Sequence, residues 1–309
     1  MHYNLRIVLD KNRNTKQERL LTYKVTEPGI LMDFLEKMFQ GKSRSSLKSW
    51  LTHRQVSVDG VTVTKHNYQV QTGQSVGIQK GFVPQKTHYE GVKIVYEDPY
   101  LIVINKDSGI LSIATDPKSD EPTAYNILRE HIKISSHKNK IFVIHRLDRD
   151  TSGLMMFAKS EEVKQKIQHA WLDTVEERIY TVIVEGQVKD DSGTITSWLK
   201  ENSVYMVYSS DIPNDGDLAI TKYEVISHGK NYTMLNASLE TGRKNQIRVH
   251  MKDIGHPVIG DRKYGAAPSP IYRLGLHARV LKFKHPITGK MLEFDTNVPR
   301  KFRYFMNNA

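Results

Sequence analysis

Cysteine is absent from the 309 residues, which excludes disulfides, thiolate catalysis and cysteine-ligated zinc. The chain also has no run of about 18 consecutive apolar residues, and its first segment, MHYNLRIVLDKNRNTKQ, has no long apolar stretch. Neither secretion nor membrane spanning is therefore expected, and the cytoplasm is the expected compartment. Several chemical signatures are missing too. There is no GxxxxGK[ST] phosphate loop, no GxGxxG fingerprint, no HExxH pair and no GxSxG elbow. His145, His250, His256, His277 and His285 thus lack the usual company of a metal site, and no metal or cofactor is expected.

Acidic residues are also in short supply. Lys and Arg number 45 against 34 Asp and Glu, a formal charge of +11. Clustered cations gain free energy by releasing counterions from nucleic acid, and an anionic membrane would suit the same balance. From residue 241 to the end there are 14 Lys and Arg against 4 Asp and Glu, which concentrates the excess in a region suited to RNA.

What is present divides along the chain. Residues 1–29 read as an N-terminal extension containing a strand and a turn. Residues 30–80 read as a small unit. There Ile30, Leu31, Phe34, Leu35 and Met38 have helical spacing, Gly41 interrupts them, and Ser45 to Leu51 predict a second short helix. In QVSVDGVTV the alternation about Asp59-Gly60 predicts a hairpin. Lys42, Arg44, Lys48 and Arg54 have no acidic residue close in sequence and could lie along a phosphate backbone, while Leu47, Trp50 and Leu51 pack inward. A solvated helical face is the alternative for the charges, and Trp50 fits a core position better than a base-stacking one. This helix, helix and hairpin order resembles the S4 RNA-binding domain.

Residues 81–89, with Gly81-Phe82-Val83-Pro84, read as a linker, and residues 90–309 as a second domain. Pro122 predicts the opening of a helix over TAYNILREHI. Ser160, followed by Glu161 and Glu162, predicts the start of another, with Val163, Ile167, Ala170 and Trp171 along one side. Strand patterns at 180–186, 223–228, 232–239 and 280–286 make this domain α+β, a predominantly antiparallel mixed sheet with flanking helices.

The most informative stretch is HRLDRDTSG, residues 145–153, which follows the apolar run Ile141 to Ile144 and sets Asp148 between Arg146 and Arg149. Guanidinium neighbours favour an anionic carboxylate, and Gly153 with the small hydroxyl residues permits a tight turn open to a polyanion. A structural ion pair capping a strand would read the same way. Ser152 beside His145 would fit hydrolysis, but the elbow motif is missing. A second dense segment, TGRKNQIRVHMKDIGHPVIGDRKYG at 241–265, carries Arg243, Lys244, Arg248 and Lys252 around Ile247 and Val249, on a strand or a helix.

Together with YEDPYLIVINKDSG, RIYTVIVEG and LGLHARVLKFKHP, these segments resemble the RluA/RluD family of pseudouridine synthases over about residues 90–300. The resemblance implies that Asp148 is catalytic, that Tyr180 contacts the base, that Arg248 pairs with the aspartate and that Arg146 holds the displaced nucleotide. It places Arg149, Thr151, Arg243 and Asn245 on the substrate side, and Lys42, Arg44, Lys48 and Arg54 of the S4-like unit against structured RNA, ribosomal before transfer RNA. Two departures stand out: Asn245 where relatives have His, and Lys106-Asp107-Ser108-Gly109 where they have Lys-Pro before the glycine. The implied reaction cleaves N1–C1′ of a flipped uridine, turns the uracil and joins C5 to C1′, with no cofactor. Asp148 either attacks C1′ or removes the C2′ proton to give a glycal, and the residues alone leave both routes open. A catalytically silent RNA-binding protein is the non-enzyme alternative.

Overall fold

The computed structural model describes residues 20–52, 55–79, 88–114, 116, 121–133 and 138–308. The expected contact at Arg54 and the linker residues Gly81 to Pro84 lie outside them.

The small unit is built as its apolar spacing requires. Helix Leu31–Met38 buries Leu31, Met32 and Leu35, and helix Arg44–Thr52 adds Leu47 and Leu51 to the same core. The buried stripe is rotated from the expected one: Ile30 and Met38 are exposed and Met32 takes the inside place. Trp50 packs edge-on against Phe39 at 5.0 Å between ring centroids, so it belongs to the core. The hairpin Val56–Val58 to Val61–Thr62 turns on Asp59 and Gly60, both at positive φ as a type I′ turn demands. Strand Leu20–Lys24 pairs with Ser75–Gln79, so the four-stranded sheet draws on residues ahead of position 30.

The large sheet begins with His88–Tyr89, paired to Val92–Glu97. Its centre runs Tyr232–Leu239, Val175–Glu185, Leu276–Lys284, Ser152–Ala158 and Leu101–Lys106, in that spatial order. Neighbours are antiparallel except Ser152–Ala158 against Leu276–Lys284, which run parallel. At that seam Gly153 faces Ala278. A Cβ on Gly153 would come within 2.1 Å of the Ala278 carbonyl oxygen, so only glycine allows the two backbones to meet. The expected strands are all present, with Ser192–Glu201, Val207–Ser210 and Met291–Asp295 in addition.

Two helices cover the sheet as their patterns predict, with one correction. Helix Glu161–His169 starts at Ser160, whose Oγ accepts from Val163 N, and buries Val163 and Ile167. Helix Ala124–Lys133 starts after Thr123, whose Oγ1 accepts from Asn126 N at 3.0 Å. Pro122 thus precedes the helix, because a side-chain cap satisfies the first turn where proline could only omit a donor. Among the described residues no helix is long and apolar enough to cross a membrane.

Candidate active site

Three chain segments that are far apart in sequence converge above the parallel seam. Asp148 stands in the turn between strand Phe142–Val143 and strand Ser152–Ala158, with Thr151 N donating to its carbonyl at 3.2 Å. Tyr180 lies in mid-strand opposite Ala278, with a register shift between Ile179 and Tyr180 that re-aims the ring. Ala278 therefore faces both Gly153 and Tyr180 across its two strand edges. Arg248 comes from helix Gln246–Asp253, which resolves the strand-or-helix alternative for that segment.

The carboxylate of Asp148 meets Arg248, not the arginines beside it in sequence. Arg248 Nη1 donates to Asp148 Oδ2 at 3.0 Å. The same guanidinium donates through Nε (2.6 Å) and Nη2 (2.8 Å) to the two oxygens of Asp261, and through Nη1 to Asn245 Oδ1 at 3.0 Å. It also lies 5.1 Å from the centre of the Tyr264 ring. Burial disfavours its charge, yet the hydrogen bond and charge of Asp261, with those of Asp148, more than offset this and raise its pKa. A guanidinium forked onto a buried aspartate cannot swing, so its remaining edge presents a fixed field to Asp148.

The surrounding groups hold this arrangement. Asn245 is buried and adopts a left-handed φ of 55°; it accepts from Arg248 and donates to the Tyr264 hydroxyl at 3.0 Å. Gln246 fixes the preceding loop: Oε1 accepts from Thr241 Oγ1 and Arg243 N, and Nε2 donates to Ile220 O and Thr221 Oγ1. Lys106 is fully buried and donates to the carbonyls of Asp107, Ile110 and Arg149. Ser108 Oγ donates to Asp150 O, and Gly109 N to Arg149 O. The Asp107-Ser108 departure thus keeps the leading loop clamped to the turn that carries Asp148.

A cleft of about 910 Å³ opens over Asp148, walled by Arg146, Tyr180, Arg243 and Lys244 among others. Arg146 is exposed there, and Thr151 is buried below the turn. Arg149 also reaches the wall but forks onto Glu121. Arg178 donates to the carbonyls of Leu239, Glu240 and Thr241 and lies 5.3 Å from the Trp171 ring centre. Tyr180 is half-buried, and its phenol pKa is raised by loss of water, with Asp148 adding to the rise and Arg178 opposing it. His145 accepts from Met156 N at 3.1 Å; burial, with Arg178, pushes its pKa down to about 3 and keeps it neutral. Ser152 is buried, and its hydroxyl meets His277 and Arg273, not His145, which removes the basis for a hydrolytic pair.

On the small unit, Lys42, Arg44 and Lys48 are exposed, but Arg44 meets Glu36 at 3.2 Å. A charge eight residues back on the neighbouring helix is invisible to local spacing, and Arg44 is partnered where sequence showed none. Asp261, Gln246 and Arg178 were given no role by sequence, and Lys106 was named only within the departure that it opens. The unusual density of polar residues in 241–265 was the one signal that covered the first two.

Fold and site together define a cleft walled by basic side chains, in which an aspartate is held by a buried arginine. The RNA pseudouridylate synthase family matches residues 100–253, and the S4 domain matches residues 31–76. The uncharacterized RNA pseudouridine synthase YlyB of Bacillus subtilis is 33% identical over 285 residues, 89% of this chain and 92% of its own. Ribosomal large subunit pseudouridine synthase D of Vibrio cholerae is 34% identical over 297 residues, 90% of each chain. Human RNA pseudouridylate synthase domain containing 4 shares the fold, with a TM-score of 0.56 at 22% identity over 69% of this chain and 91% of its own. The chain belongs to the pseudouridine synthase family: it is an RNA pseudouridine synthase carrying an S4 domain.

Proposed function

We propose that the protein isomerises specific uridines of ribosomal RNA, with Asp148 as the catalytic group, and that it stands with the RluA/RluD branch of its family. The observation that carries the catalytic assignment is the chain Asp148–Arg248–Asp261, whose first two members line the cleft. Arg248 holds Oδ2, and among the described residues Oδ1 makes no hydrogen bond, which leaves an oxygen for the ribose. Asp148 begins the reaction there, and we favour removal of the C2′ proton to a glycal over attack at C1′, on the family resemblance. The N1–C1′ bond breaks as the glycal forms, the uracil turns, C5 joins C1′ while Asp148 returns the proton to C2′, and the C5 proton leaves as N1 gains one. Tyr180 bounds the uracil. Its raised pKa opposes a role as base in the free enzyme, so its service is to pack the detached ring.

Ribosomal RNA is favoured by the S4 unit, which can grip a helix at a distance and raise the effective concentration of the reacting loop, and by the similarity to synthases named for the large ribosomal subunit. Such a substrate puts the protein in the cytoplasm. Residues 30–80 then act as the gripping domain and 90–309 as the catalytic one. Arg146, Arg149, Thr151, Arg243 and Asn245 serve the catalytic cleft, and Lys42, Arg44, Lys48 and Arg54 serve the grip.

The test is pseudouridine mapping of an unmodified large-subunit ribosomal RNA transcript treated with the parent protein or with Asp148→Asn. The parent should form pseudouridine at discrete positions. The variant should fold, bind within about tenfold and form none. Parent-like release of tritium from C5 by Asp148→Asn would remove Asp148 from the chemistry, and modification of transfer RNA alone would move the substrate.

A further inference from the structure

Beside the cleft over Asp148 lies a second one, of about 870 Å³. The two share a wall, since Arg248 and Lys263 line both.

The distinctive feature of the second is Tyr272, which is 90% exposed and sits at a φ of 55°. A left-handed backbone is costly for an aromatic residue, and an exposed ring recovers little by burial. The loop nevertheless fixes it. Ile271 and Leu274 on either side are buried, Tyr272 N donates to Ser269 O, and Ser269 Oγ donates to Arg273 O at 2.6 Å. Arg273 is tied in turn to Ser152 Oγ and Leu276 O. The outcome is an aromatic side chain carried on a pinned backbone, in the open beside cations: Lys301 Nζ is 5.7 Å from its ring centre, and exposed Arg262 lines the same cleft. Two carboxylates share the wall. Asp261 is already matched by Arg248, and exposed Asp150 leaves the balance positive.

An open aromatic face among cations suits a nucleobase and its phosphate, because every base has a π-face and stacking needs no sequence readout. We propose that this cleft is a second nucleotide subsite, in which a nucleotide flanking the reacting uridine stacks its base on Tyr272 and sets its phosphate against Arg262 and Lys301. The word "flanking" rests on the catalytic reading given above; the stacking itself does not.

The experiment uses the full chain and the unmodified large-subunit ribosomal RNA transcript as probe. Tyr272→Ala should raise the half-saturating protein concentration about tenfold, with a smaller loss, under about threefold, in the single-turnover rate at saturation. Tyr272→Phe should bind like the parent. Lys301→Gln should lower the slope of log affinity on log salt by about one unit. Tyr272→Gly separates function from structure: it relieves the left-handed residue, so its melting temperature should be no lower than that of the parent while its affinity falls as in Tyr272→Ala. Binding by Tyr272→Ala within twofold of the parent would overturn the subsite. So would a Tyr272→Gly variant that melts early and loses affinity only in proportion. If the parent forms no pseudouridine in any RNA while affinity still depends on Tyr272, the catalytic reading fails and the subsite stands.

Discussion

Arg248 serves two carboxylates to which water has different access: the side chain of Asp148 is 35% exposed and that of Asp261 only 1%. Losing the guanidinium therefore strands Asp261 more than Asp148. We predict that Arg248→Met lowers turnover at least a hundredfold and destabilises the fold by about 3–5 kcal/mol, as removal of one partner of a buried pair does. Adding Asp261→Leu to that variant removes the stranded charge and should restore most of the stability and none of the turnover. Urea unfolding with single-turnover assays checks both, and a double variant as unstable as the single one would show that Asp261 is not the cause. Asp148 was legible because HRLDRDTSG is a rare constellation. Asp261 was not, because an aspartate in GDRKYG reads as an ordinary turn residue until the helix 13 positions earlier folds over it. Arg149 shows the limit of adjacency: it flanks Asp148 in sequence, yet its guanidinium meets Glu121.

Elements were legible where a periodic pattern and a start signal coincided, as in the helix behind Ser160 and the hairpin about Asp59-Gly60. Strand Ser192–Glu201 escaped because SGTITSWLKE is polar at most positions and owes its pairing to Asp217–His228 and Val207–Ser210. The core clusters bear on a larger operation. The small unit encloses Leu31, Leu35, Leu47, Val70 and Ile78, none of which belongs to the clusters under the large sheet. Deleting residues 1–80 is therefore expected to leave a soluble protein with its far-ultraviolet spectrum of strand intact, weaker binding to large-subunit RNA and residual activity on a short loop. Unchanged affinity in a competition assay would end the role given to the S4 unit. Within the large sheet the seam is the sensitive point. Gly153→Ala drives a Cβ into the Ala278 carbonyl from a φ of +119°, and should cost about 3 kcal/mol or more in thermal or urea unfolding.

At the scale of the whole molecule, three histidines couple folding to pH: His145, held near 3 by burial and Arg178, and two more. Burial, opposed by Asp253, pushes His250 down to about 4, and burial, with Arg273 close by, pushes His277 down to about 3. Each is neutral and hydrogen-bonded, His250 to Ser197 and Thr221, His277 to Ser152 and Thr296. In the unfolded chain all three take a proton near pH 6.5. Below that pH the unfolded state binds three protons that the folded state refuses, so stability is full above about pH 6.5 and falls as acid is added, until the folded values near 3 to 4 are reached. The slope should approach three protons, about 4 kcal/mol per pH unit at its steepest. Urea unfolding at pH 7, 6 and 5 measures it, and His277→Gln should lower it by about one proton. Because His277 shares Ser152 with Arg273 at the seam beside Asp148, acid should remove activity in step with unfolding. A pH–stability slope unaffected by His277→Gln would show that the imidazole charges in place and that the seam yields without losing the fold.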